Sequence, residues 1–113
     1  MHLAVQSNNV QIIDQIIKTG EIHIDTHDRN GLTPLHVSMR KSPLEVTTLL
    51  IAHGASLDAT DNDGQTSIHH ASVFGHLDCV KILTQHGAKI DQVDNNGRTP
   101  LHYAAIYLSL IHI

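Results

Sequence analysis

Gly97-Arg98-Thr99-Pro100-Leu101-His102 is the third copy of a hexapeptide. It follows Gly31-Leu32-Thr33-Pro34-Leu35-His36 and Gly64-Gln65-Thr66-Ser67-Ile68-His69. The copies start 33 residues apart both times (64 − 31 and 97 − 64), without insertion or deletion. A fixed period of that length marks a stacked repeat protein, whose units bury their apolar faces against one another. Each copy also reads as a helix start. A Thr at the N-cap accepts a hydrogen bond from a backbone N–H that has no partner inside the helix. Pro at the next position already has helical φ and no donor to leave unpaired. The three histidines then fall one turn into the helix, where an imidazole reaches back to the capping segment. Ser67 stands in place of Pro in the middle copy, which predicts a weaker start for that helix.

Working outward, further positions agree in register. Two residues after each motif histidine comes a small residue: Ser38, Ala71 and Ala104, and Ala4 if His2 is taken as a fourth copy. Six residues after it falls the expected turn between helices, at Asn8, Ser42, Gly75 and Leu108. Apolar residues at helical spacing then lead to Gly20, Gly54 and Gly87. Each unit closes on an Asp–x–x–Gly tip, Asp28 to Gly31, Asp61 to Gly64 and Asp94 to Gly97. Asp bonds its own following backbone in such turns and Gly accepts positive φ. A Thr-Pro-Leu-His signature at this period resembles the ankyrin repeat, over nearly the whole chain. The resemblance implies an all-α, helix-turn-helix solenoid with β-hairpin-like loops and about three to four repeats.

In that frame the chain divides into an N-terminal partial repeat (1–30), complete repeats at 31–63 and 64–96, and a C-terminal partial repeat with an atypical tail (97–113). Outer helices are expected over Gln11–Lys18, Leu44–His53 and Leu77–His86, with Ser42-Pro43 as a turn. The first loop holds one residue more than its equivalents, which should bulge outward around Glu21–His23. The last inner helix is expected from Pro100 to Ile106. Beyond it, Leu108 replaces the turn residue and Ser109-Leu110-Ile111-His112-Ile113 contains no recognisable outer helix. Polar capping faces are the norm at solenoid ends. The chain is therefore read as a slice of a longer array rather than one closed by a short docked cap. Its uncapped apolar ends carry a hazard of end-to-end self-association.

The composition suits this architecture. The 113 residues are 41% hydrophobic but only 3% aromatic, as expected for thin helix pairs. Net charge is −4 and the basic residues are scattered, only Arg40 and Lys41 being adjacent, so nucleic acid is not the expected partner. Cys79 is the one cysteine and reads as a small buried hydrophobe. With no disulfide possible and no signal peptide or membrane span in the sequence, an intracellular, most naturally cytoplasmic, location is expected.

Eleven histidines raise the question of metal. His2, His36, His69 and His102 occupy one repeat position, and stacked layers set such equivalents ~8–10 Å apart. Zinc holds nitrogen at ~2.0–2.1 Å, so equivalents in neighbouring layers cannot share an ion. His69, His70 and His76 are close in sequence but lack a completing ligand at a known spacing. No metal and no cofactor is expected. Nor does any phosphate loop, nucleophile elbow or His-Glu-x-x-His motif appear, so the chain is not expected to be an enzyme.

The resemblance implies instead that another protein binds at the concave face, formed by hairpin tips and the exposed side of the inner helices. Carried over by position, that face holds His27, Arg29, Asn30 and Leu32, then Thr60, Asn62, Asp63 and Gln65, then Val93, Asn95, Asn96 and Arg98. The inner helices add Arg40 and Lys41, Val73 and Phe74, and Ile106 and Tyr107. Val73-Phe74 followed by Ile106-Tyr107 suggests an apolar strip, and exposed aromatics are frequent binding anchors. The competing reading folds Phe74 against a neighbouring hairpin. A binding module of a scaffold or adaptor is the expected function. The alternative is a regulatory or targeting arm of an enzyme, ubiquitin-ligase subunit or ion channel encoded outside this sequence.

Overall fold

The computed structural model of the chain describes residues 2, 5, 10–20, 23–40 and 44–111, with side chains through 106. Among the described residues there are helices and loops and no strand. The helices are α1 (Val10–Thr19), α2 (Pro34–Ser38), α3 (Leu44–Ala52), α4 (Ser67–Val73), α5 (Leu77–Gln85) and α6 (Pro100–Ile111). Inner helices α2, α4 and α6 stack in one row and outer helices α1, α3 and α5 in another. The rows are joined within layers by α2 against α3 and α4 against α5. The result is elongated, 45 × 25 × 24 Å.

The helix starts behave as their sequence requires. Thr33 is extended (φ −85°, ψ 166°), and its hydroxyl accepts from the His36 amide. In return His36 Nδ1 accepts from the Thr33 amide at 3.1 Å, a reciprocal cap in which imidazole takes the place usually held by Glu. Thr66 and Thr99 donate their amides to His69 and His102 in the same way. Ser67 fills the Pro position with a buried hydroxyl that finds no hydrogen-bond partner. Thr66 (φ −89°, ψ 174°) already has the extended conformation that a following proline demands. Ser67→Pro should therefore remove an unsatisfied polar group and pre-set the first helical turn. We expect about 1–2 kcal/mol of added stability in urea unfolding. A loss of stability would mean that the hydroxyl has a role the native packing does not reveal.

The loops repeat their own chemistry. Oδ1 of Asp28, Asp61 and Asp94 accepts from the amides two and four residues ahead, at 2.9–3.0 Å. Each Asp amide also donates across the loop, to the carbonyls of Leu32, Gln65 and Arg98, giving the hairpin-like shape without a strand. Consecutive tips are bonded to each other through Asn62 N–H to Asn30 O (3.1 Å) and Asn95 N–H to Asp63 O (2.9 Å). The glycines beside them are tightly covered. An added Cβ on Gly31 would sit 2.6 Å from Asn62 Oδ1 and 2.8 Å from the Asn62 backbone nitrogen. At Gly64 the corresponding distances to Asn95 are 2.5 and 3.0 Å.

Ile13, Leu35, Val46, Leu50, Ile68, Cys79 and Leu83 form the continuous core. Cys79 is buried, as expected of a small hydrophobe. Leu32 is a correction: expected on the concave face, it is only 4% exposed and belongs to this core. An apolar side chain at the base of the tip turns inward, while the equivalent Gln65 is half-buried and Arg98 is exposed. At position 108 the backbone does not turn; α6 runs on to Ile111, because no glycine stops it as Gly75 (φ +71°) stops α4. Leu101 is 74% exposed there, against 1% for its equivalents Leu35 and Ile68. The bulge expected around Glu21–His23 falls largely outside the described residues. His2 Nε2 donates to the carbonyl of Leu32, 30 residues on, where His36 and His69 reach 29 residues on. Glu21, Ile22, Ser42 and Pro43 lie outside the described residues.

Candidate functional site

The histidine of each motif binds two layers together. His36 Nδ1 accepts from the Thr33 amide and hydroxyl, so the ring proton sits on Nε2 and donates to the Gln65 carbonyl of the next layer at 2.9 Å. His69 does the same with Thr66 and the Arg98 carbonyl (3.0 Å). Burial holds the His36 imidazole at a pKa of about 4, against an ordinary 6.5, despite the favourable bond to Gln65.

A second set of residues stands behind the tips. His70 follows the motif histidine, packs edge-on to His36 with ring centroids 5.0 Å apart, and donates from Nε2 to Asp61 Oδ2 at 2.8 Å. One layer on, Tyr103 packs edge-on to His69 and donates its hydroxyl to Asp94 Oδ2. Gln65 Nε2 reaches both Tyr103 and Asp94, at 3.0 and 3.3 Å. Asp61 and Asp94 thus each use one oxygen for their own turn and the other to hold the helix nine residues along. The equivalent position behind Asp28 is Val37, which is buried and offers no donor. Burial pushes the His70 pKa down more than Asp61 raises it. Burial would raise the Asp61 carboxyl, but the bonds from His70 and the amides of Gln65 and Asp63 together lower it. The Asp94 carboxyl is held low in the same manner by Tyr103, Arg98, Gln65 and Asn96.

Between the two tips lies a recess of about 290 Å³ that gathers six of the residues expected at the concave face: Asn30, Leu32 at its base, Arg40, Asn62, Asp63 and Gln65. Asp61 and His70 complete its polar wall. Arg29, Asn95, Asn96, Arg98, Val73 and Ile106 are exposed on the same series of elements. The side chains of Asn62 and Asn95 are engaged in the tip-to-tip bonding, donating to the carbonyls of Arg29 and Asn62. His27 likewise donates to the Gly31 carbonyl. Phe74, 41% exposed, stacks on His76 at 6.1 Å, and His76 donates to the Arg40 carbonyl. It therefore leans on the turn between α4 and α5, not on a hairpin. Lys41 lies outside the described residues, and so does the Tyr107 side chain.

Sequence reasoning did not single out His70 with Asp61, or Tyr103 with Asp94, as pairs. The available signal was the nine-residue spacing from tip Asp to the residue after each motif histidine, filled by Val, His and Tyr in turn. Among the described residues no helix is long and apolar enough to cross a membrane.

Two stacked rows of short antiparallel helices, bonded through their loops, define a helical repeat solenoid. The sequence matches the family described as ankyrin repeats (3 copies) over residues 1–94 and 58–112, and the chain belongs to the ankyrin-repeat family. It is similar to the potassium channel AKT2/3 of Arabidopsis thaliana, 33% identical over 54 residues, covering 48% of this chain and 7% of that protein. The nuclear factor NF-kappa-B p105 subunit of Mus musculus is 33% identical over 55 residues, 49% of this chain and 6% of its own length. Ankyrin repeat domain-containing protein 13B of Homo sapiens is 32% identical over 57 residues, 50% and 9% respectively. The matched part is thus less than a tenth of each relative.

Proposed function

We propose that this chain is a non-catalytic protein-binding module, acting through its concave ridge as part of a larger ankyrin-repeat protein inside the cell. In this reading its repeats are a partial one at 1–30, complete ones at 31–63 and 64–96, and a partial one at 97–113. Ankyrin repeats are in general protein-interaction modules. The observation that carries the reading here is the polar recess between the tips, in which exposed Arg40 and Asp63 are mounted on a framework of backbone and Asp–His bonds. A surface held this way loses little conformational entropy on association. The alternative, a regulatory or targeting arm of an enzyme, ubiquitin-ligase subunit or channel, differs only in what accompanies the array; the likeness to a potassium channel and to a nuclear-factor subunit suits either.

The test is capture of proteins by the chain, compared with Asp63→Lys, with Phe74→Arg, and with Lys81→Glu on the outer helix. A partner lost with either ridge variant and kept by the outer variant is the expected result. Loss with Lys81→Glu alone would move the site to the convex side. Exposure of Leu101 favours one further property, self-association through the open face of α6. Light scattering should then show mass rising with concentration in the native chain and not in Leu101→Glu; a monomer throughout would end that idea.

A further inference from the structure

Asn30-Gly31 and Asn96-Gly97 put the same dipeptide at two loop tips, and the fold treats the two differently. An asparagine followed by glycine is chemically labile in a flexible chain. The next backbone nitrogen can attack the side-chain amide carbon, and glycine has no side chain to hinder the approach. The fold decides whether that attack is reached, because the nitrogen must first leave its hydrogen bond and the peptide group must rotate. Both asparagines are exposed, so access to the side chain does not separate the sites. Each glycine amide also donates to the carbonyl of its tip aspartate, at 2.9 Å from Gly31 to Asp28 and 3.0 Å from Gly97 to Asp94.

The difference lies in the following layer. The peptide unit joining Asn30 to Gly31 is pinned from outside its own turn. The Asn30 carbonyl accepts from the Asn62 amide at 3.1 Å, and the Arg29 carbonyl accepts from Asn62 Nδ2 at 3.0 Å. Gly31 is buried beneath that asparagine. Gly97 is exposed, and nothing lies within 4 Å of the position an added Cβ would take. Among the described residues no neighbouring tip bonds to Asn96, whose amide is tied to Asp94 Oδ1 within the same turn. We propose that Asn96 is a site of spontaneous deamidation through a succinimide, and that the following layer protects Asn30 from the same reaction.

The Gly97 nitrogen gives up its proton to hydroxide or water and bonds to Cγ of Asn96. The Cγ–Nδ2 bond breaks, and Nδ2 takes a proton from water and leaves as ammonia. Water then opens the ring, with no oxidation or reduction. Attack at Cγ yields aspartate; attack at the main-chain carbonyl carbon yields isoaspartate, with the chain rerouted through the side chain. Either product places a new carboxylate on the ridge two residues from Asp94, whatever the ridge binds. Isoaspartate also lengthens the main chain between Asp94 and Arg98. That segment sets two bonds, from the Arg98 amide to Asp94 Oδ1 and from His69 Nε2 to the Arg98 carbonyl, so the altered backbone loosens the hold between the last two layers.

The experiment is incubation of the full chain at neutral and mildly alkaline pH, folded and in urea, followed by peptide mapping that separates aspartate from isoaspartate. In urea both Asn-Gly pairs should react at similar rates. In the folded chain Asn96 should react within ~10-fold of its urea rate, and faster as pH rises, since only its own turn must open. Asn30 must also open two bonds to the next layer and should react at least ~10-fold more slowly than Asn96. This comparison is made within one native molecule, so it does not depend on any variant folding. Asn62→Ala removes the amide laid over Gly31 and should speed the reaction at Asn30 without changing Asn96. Asn96→Gln, whose longer side chain closes a ring far more slowly, should leave the last tip unmodified. Protection of Asn96 equal to that of Asn30, or no reaction at Asn96 in the folded chain, overturns the proposal.

Discussion

His36→Ala is expected to bring the chain to the edge of unfolding, while the same change at His102 is tolerated. The two residues share a motif position but not a neighbourhood. His36 is fully buried, accepts from the Thr33 amide and hydroxyl, and donates to the Gln65 carbonyl of the next layer. Truncation leaves a cavity and three polar groups without partners, a combination that costs about 3–5 kcal/mol. A domain of this size has only ~5–15 kcal/mol in total. His102 makes the same bonds to Thr99 but is exposed, and no next-layer carbonyl receives its Nε2 among the described residues. Its loss should cost about 1 kcal/mol, the scale of a helix cap. Urea unfolding of both variants measures the difference. Equal losses would show that the capping bond, and not the bond between layers, supplies the stability.

Acid should weaken the fold well before the carboxylates titrate. His36 must be neutral, because Nδ1 accepts a hydrogen bond, and its pKa in the fold is about 4 against 6.5 when exposed. A base whose pKa falls on folding binds protons more readily in the unfolded chain. Its stabilising contribution is therefore complete above pH ~6.5 and is lost as pH falls toward 4. The difference of 2.5 units corresponds to about 3 kcal/mol at 1.36 kcal/mol per unit. Burial moves His70 in the same direction, so its contribution falls in the same sense. Asp61 and Asp94 are lowered below 3.8 and add their losses only at still lower pH. Urea midpoints measured from pH 7.5 to 4.5 should fall continuously from about pH 6.5. A flat profile down to pH 5 would show that protonated His36 is accommodated without loss of its bonds.

Much of this architecture is local chemistry written three times, which is why it can be read from sequence. The Thr cap, the imidazole that returns to it and the Asp–x–x–Gly tip each need only residues within four positions of one another. Helix limits were read to within a residue or two at α1, α3 and α5 for the same reason. The continuation of α6 to Ile111 is the effect of a missing stop signal at Leu108, and the sequence flagged that position without giving the outcome. The contacts behind the tips are of another kind. His70 meets His36 across a layer boundary, 34 residues away, and only the stacking geometry turns that offset into a contact. Leu32 illustrates the converse limit. Its repeat position carries a polar residue in the other layers, half-buried Gln65 and exposed Arg98, and its own apolar side chain took it into the core instead.

The close cover over Gly31 and Gly64 has a consequence for recognition. Main chain meets main chain at each tip, with the neighbouring Asn amide laid over the space a methyl group would fill. The interval between successive tips is consequently fixed by atoms that every residue possesses and that substitution hardly alters. The ridge behaves as a ruler whose graduations are constant and whose labels can change. Divergence among such surfaces then proceeds by exchanging the chemical group at each mark, and a ligand is selected by what it meets at intervals it cannot adjust.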